Sequence, residues 1–235
     1  MIRFELFGFP VSVHLSFGFL VLFLAYGSAS TIAGIVGFGA VVFLSILVHE
    51  LGHAFAARSQ GVVVPPAISL EGLGGLTRYR LREVPSRAQS IMISAAGPMA
   101  GVAMGVVVLA VDRAGVFSDT GLGNYLVTVA LFTTFGWSVF NLVPIAPLDG
   151  GHILTELLPG TPLVRRRRAA VVSIVVGIAA AVGLYLLFES VFAPIVIGFL
   201  VMQNIAVLQS PRTPSPAPAP PQAGGTPPPK GPFDP

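Results

Sequence analysis

Six stretches of this chain are long and apolar enough to cross a bilayer, whose hydrocarbon layer takes about 20 residues of helix. They cover approximately residues 11–29, 32–57, 88–111, 121–143, 169–188 and 190–208. With 54% of its residues hydrophobic and only 10% charged, the chain carries under half the charge of a soluble domain, and a soluble enzyme is excluded. The expected fold class is an all-α polytopic membrane protein of about six transmembrane helices, formed by residues 1–209. Only Glu189 interrupts the last two runs, with Pro194 close by. About 40 apolar residues exceed a single 30 Å crossing, so a tight turn is expected there.

The cations test that count. If the spans alternate, Arg3, Arg58, Arg78, Arg80, Arg82, Arg87, the run 165–168, Arg212 and Lys230 fall on one side, and only Arg113 falls on the other. Cationic loops stay in the cytoplasm, so a multi-pass protein of the cell membrane with both termini cytoplasmic is expected. The cations sit in loops rather than along a surface stripe, which points to topology and away from nucleic acid. The run 165–168 reads as an anchor on anionic lipid. Eleven of the last 25 residues are proline, and residues 210–235 are expected to form a disordered cytoplasmic tail.

Between the second and third spans, residues 67–71 and 76–80 alternate in character around Gly72-Leu73-Gly74-Gly75. This is the one strand-like passage, and a β-hairpin or an amphipathic surface loop would fit it equally. The second span contains His49-Glu50-Leu51-Gly52-His53. On a helix, residues four apart lie one above the other, so both imidazoles can reach one metal ion, with Glu50 beside the water that the ion activates. Zinc lowers the pKa of such a water to about 7, which is hydrolytic chemistry. An ionisable cluster inside a membrane span is costly and argues for function over a structural polar contact.

The chain has no cysteine, so a third zinc ligand must come from His, Asp or Glu. The candidates are His14, His152, Glu71, Glu156, Asp112, Asp119 and Asp149. His53 lies five residues before Arg58, about 8 Å from the cytoplasmic end of its helix. Asp112 and Asp119 belong to the opposite side, whereas Asp149 follows the fourth span at the correct depth. Around it, Pro144 and Pro147 break the helix and Gly150-Gly151 lets the backbone turn. Non-helical backbone at that depth is tolerated only when it is buried in protein or lines a wet cavity. His14 suits an interfacial or hydrogen-bonded role better than ligation; His152 could orient Asp149 or lie on the helix surface.

The His49 to His53 pattern, residues 141–151 and Ala96-Gly97-Pro98 together resemble the site-two protease family of intramembrane zinc metalloproteases. The resemblance places the family's three-helix catalytic core at about residues 32–158 and implies one zinc ion per chain, held by His49, His53 and Asp149, with Glu50 as the catalytic acid/base. It also implies that Asn141 holds the substrate backbone. The hairpin at 70–77, with Leu70, Gly74 and Gly75, resembles the family's membrane-re-entrant β-loop on the cytoplasmic side, to which an unwound substrate strand could add. The implied partners are a transmembrane protein substrate and the lipid bilayer. Substrates in the family include membrane-tethered transcription regulators, anti-sigma factors and remnant signal peptides. The likeness is to minimal members without PDZ or CBS domains.

This sequence has Met99-Ala100-Gly101 where the family often has an asparagine after Gly-Pro, and Gly97, Gly101 and Gly105, four apart, read as close helix packing. The competing reading is a catalytically silent membrane protein that binds helices as a chaperone would; an intact Glu50 argues against it. A di-iron oxygenase fails because four histidines are too few.

Overall fold

The computed structural model describes residues 1–29, 31–72, 74–117, 121–189 and 191–210. Leu73 at the hairpin tip, and all of the expected Pro-rich tail except Ser210, lie outside the described residues.

The chain opens with two short strands, β1 (Ile2–Leu6) and β2 (Phe9–Val13). Phe7 and Gly8 between them both take positive φ, 53° and 78°, the pairing that a type I′ hairpin turn requires. β2 then pairs in parallel with β3 (Val62–Glu71), Val11 opposite Ile68. β3 pairs antiparallel with β4 (Gly74–Leu81), Leu70 opposite Gly75. The order is therefore β1-β2-β3-β4, so the expected hairpin exists as half of a larger sheet. The fold is mostly helical but not all-α. The N-terminal strands are hidden in the sequence because β2 runs straight into an apolar helix, which makes residues 11–29 look like one span.

That first span is corrected accordingly. α1 covers only Leu15–Tyr26, 12 residues or about 18 Å, which is shorter than a full span. Among the described residues, four helices are long and apolar enough to cross a membrane by themselves. They are α2 (Ile32–Ser59), α3 (Arg87–Arg113), the composite Gly121–Asn141 and α7 (Pro162–Phe188). The composite comprises α4 (Gly121–Leu131), a π-helical turn (Phe132–Gly136) and α5 (Trp137–Asn141). Two more helices complete the chain, the short α6 (Asp149–Leu157) and α8 (Phe192–Gln209). α7 and α8 are separate helices, as expected: Glu189 ends α7 in the left-handed region.

Local chemistry sets these boundaries. The Thr31 hydroxyl accepts from the Gly34 amide at 3.0 Å and starts α2. Ser86 and Gln89 exchange side-chain and backbone bonds in a capping box that starts α3. Thr161 caps α7, with Pro162 supplying the first helical position. The sheet lies against the α2 half that carries the histidines: Phe9, Val11, Ile68 and Leu70 bury there with Leu47 and Leu51. Arg58, at the last turn of α2, donates to the Phe7 carbonyl at 2.8 Å and stacks over the rings of Phe9 and Phe55. In the run 165–168, Arg166 and Arg168 are exposed, while Arg165 and Arg167 are partly buried. Arg165 pairs with Glu156, Arg167 donates to the Leu208 and Ser210 carbonyls, and Arg168 donates to that of Pro159.

Candidate metal centre

α2 buries three ionisable side chains in succession on its inner side: His49, Glu50 and His53 are 3%, 4% and 8% exposed. Their ligand atoms lie within 4.8 Å of one another. One helical turn separates the two imidazoles, whose Nε2 atoms face each other at 3.2 Å. The first residue of α6, Asp149, brings its carboxylate to 3.2 Å from His49 Nε2 and 3.4 Å from His53 Nε2.

These separations fit a metal ion. Zinc held at about 2.0–2.1 Å by nitrogen and oxygen spaces tetrahedral ligands about 3.3–3.4 Å apart, and the two Nε2 atoms and the Asp149 carboxylate, which meets His49 with Oδ2 and His53 with Oδ1, stand at separations of that size. The donor chemistry agrees. His53 Nδ1 lies 2.7 Å from the Ile93 carbonyl; a carbonyl can only accept, so Nδ1 carries the proton and Nε2 presents a lone pair. An imidazole lone pair and a carboxylate converging in a buried space call for a cation, and Asp149 Oδ2 has no hydrogen-bond partner there.

The neighbouring helix is shaped around this cluster. A Cβ on Gly97 of α3 would collide with the His53 imidazole, so the small residue of Ala96-Gly97-Pro98 makes room for a histidine. Gly101 and Gly105 abut Ser138 and Phe135 of the composite helix, which is the close packing expected from their spacing.

Above Glu50 lies β4. Gly75 and Thr77 alternate inward with Leu76 and Arg78 outward, and the inward pair meets the glutamate. Thr77 Oγ1 donates to Glu50 Oε2 at 2.6 Å, while a Cβ at Gly75 would overlap the Glu50 carboxylate. Thr77 was not singled out in the sequence, because a strand residue reveals its partner only once the register is known. Gly74, with φ of 130°, sits under the edge of the Trp137 indole.

The other expected site residues fall as follows. Asn141 is buried and its amide donates back to the Trp137 carbonyl at 2.9 Å. Leu70 is fully buried in an interior strand, its backbone engaged by Gly75 on one side and its carbonyl accepting from the His14 amide on the other. It therefore supports Gly75 from below rather than lining a surface. His14 lies by Glu71 at 3.9 Å, and His152 is exposed on α6. Burial and the nearby Asp149 carboxylate hold the Tyr79 phenol, on β4, above its ordinary range, so it remains a neutral hydroxyl.

Known proteins give the same picture. The chain is 32% identical over 161 residues to zinc metalloprotease MJ0392 of Methanocaldococcus jannaschii, covering 66% of this chain and 44% of that protein. It thus spans less than half the length of that relative. The solved Site-2 Protease from Methanocaldococcus jannaschii shares its fold with a TM-score of 0.61, at 24% identity, over 91% of this chain and 98% of that one. The model of peptidase family M50 matches residues 37–118 and 113–184, a stretch holding both histidines, Glu50, Gly97 and Asp149, and the chain belongs to that family, the family of site-2 proteases.

Proposed function

We propose that the chain is a zinc-dependent intramembrane endopeptidase that hydrolyses a peptide bond in or near a transmembrane segment of another membrane protein. The observation that carries this is the triangle of His49 Nε2, His53 Nε2 and the Asp149 carboxylate with Glu50 beside it, all enclosed by apolar helices. His49, His53 and Asp149 would hold one zinc ion. Zinc bound there supplies Lewis acidity that polarises a carbonyl and acidifies water.

The chain's own groups do the rest. Glu50 takes the proton of the attacking water on the carboxylate oxygen that Thr77 leaves free, then returns it to the departing amine. Thr77 fixes the carboxylate in rotamer by donating to one of its two oxygens. β4 has a strand partner on one side only among the described residues. A substrate unwound into an extended strand adds to its free edge, over Gly74 and Gly75, with Leu70 bracing the strand beneath and Asn141 taking a substrate carbonyl or amide. The apolar helices hold the protein in a membrane as a multi-pass chain; both termini and the sheet lie on the cytoplasmic side, which the cation distribution supports and which has the shorter α1 and α8 complete crossings beside the four long helices. Residues 1–209 form the catalytic domain and the Pro-rich segment a tail.

The test is metal content and cleavage together. Purified protein should carry about one zinc per chain and cut a single-span membrane substrate. Asp149→Ala should lose both metal and cutting, and Glu50→Gln should keep the metal, stop cutting and retain bound substrate. An Asp149→Ala variant with unchanged zinc and cleavage would overturn the ligand assignment.

A further inference from the structure

Asp149 owes its place to the loop before it, and that loop is not held by the motif helices alone. Between α5 and α6 the chain runs through Pro144-Ile145-Ala146-Pro147. Such non-helical backbone in an apolar bundle must find its hydrogen-bond partners inside the protein. The Ala146 peptide finds both in side chains from the C-terminal helices. Its N–H donates to the Ser173 hydroxyl of α7 at 3.0 Å. Its carbonyl accepts from the Asn204 amide of α8 at 2.6 Å. The same two side chains are anchored in turn. Ser173 reaches the Pro144 carbonyl at 3.4 Å, and Asn204 donates to Leu200 of its own helix at 2.8 Å.

Both residues are polar side chains within long apolar stretches of their helices, and both are almost fully buried, at 0% and 2% exposure. Their cost inside a membrane bundle is offset only by the loop they grip. Two residues separate Ala146 from Asp149, and a backbone hydrogen bond braces that interval. Leu148 N–H bonds to the Ile145 carbonyl at 2.8 Å, and Ile145 is itself buried. At the far end of α6, Glu156 pairs with Arg165 of α7. The element that carries the acid is thus fastened to the α7/α8 hairpin at both ends.

We infer that the α7/α8 hairpin sets the position of the Asp149 carboxylate against His49 and His53, with Ser173 and Asn204 as positioning residues that act through Ala146. This rests on the proposed reading of Asp149 as a zinc ligand. The hairpin is therefore part of the metal centre's support, and the functional unit extends beyond residue 158. Partners that orient a ligand govern affinity without touching the ion, and their loss commonly weakens binding about 10- to 100-fold.

The experiment is a zinc competition titration on the full-length protein in detergent, using a chromophoric chelator, for the wild type, Ser173→Ala, Asn204→Leu, Ser173→Thr, Asp149→Ala and the double variant Ser173→Ala with Asp149→Ala. Ser173→Ala and Asn204→Leu should each weaken zinc about 10-fold or more, and Ser173→Thr, which keeps the hydroxyl, should stay near wild type. In the Asp149→Ala background, Ser173→Ala should add nothing, because the residue acts through the missing carboxylate. Unchanged affinity in both single variants, or an equal loss from Ser173→Ala with and without Asp149, would overturn the inference. If Asp149→Ala itself leaves affinity intact, the ligand reading has failed instead. Should Asn204→Leu not fold, Ser173→Ala, which removes a single oxygen, decides the matter.

Discussion

At the scale of single residues, the site is governed by what is small as much as by what is charged. Gly97 and Gly75 admit His53 and Glu50 to positions that any side chain would fill. Gly97→Ala should therefore displace the His53 ring and cost most of the bound zinc, measurable as metal per chain in purified protein. Thr77 makes the complementary prediction. A hydrogen bond to a charged group is worth about 1.5–3 kcal/mol. Thr77→Val should therefore lower kcat roughly 10- to 100-fold, with zinc content and KM little changed. Thr77→Ser, which keeps the donor, should restore most of it, and equal rates in Val and Ser variants would remove Thr77 from the catalytic account.

Among elements, the N-terminal hairpin and the helix bearing the histidines are joined at Arg58. Its guanidinium serves a carbonyl and two rings at once. Removing it should free the β1–β2 turn and cost about 1–2 kcal/mol. Hydrogen exchange across Ile2–Leu6 and Phe9–Val13 should speed up in Arg58→Ala, and Arg58→Lys should rescue it only in part, since an ammonium lacks the planar fork. This joint also shows what the sequence could convey. His49 and His53 were legible because helical spacing is local, and Asp149 because prolines, glycines and depth confined the choice. β1 and β2 were not, since their alternation lasts only five residues each and merges with a helix. Thr77, Ser173 and Asn204 meet their partners 27, 27 and 58 residues away. A spacing rule cannot register such meetings, because the pairing of strands and the docking of α7 and α8 create them.

For the whole molecule, the enclosure of the site sets what the proposed peptidase would cut. A peptide bond in an intact helix is shielded by its own hydrogen bonds and side chains, so a substrate must unwind to reach Glu50 beneath β4. Helix-breaking Gly, Pro or Asn in a substrate span should promote cleavage, and a polyleucine span should resist it, as read from product termini by mass spectrometry. Reporters fused after Arg58 and after Arg166 should both lie in the cytoplasm; opposite sides for the two would refute the proposed orientation. The chain has a single tryptophan, and it stands with its ring edge against Gly74 at the start of β4. The chain thus carries one intrinsic fluorophore beside the strand edge proposed to receive a substrate. The arrival of a substrate strand should change the polarity around that indole, so that unlabelled protein in a stopped-flow cell would emit its own time course of capture, seen without scission in Glu50→Gln.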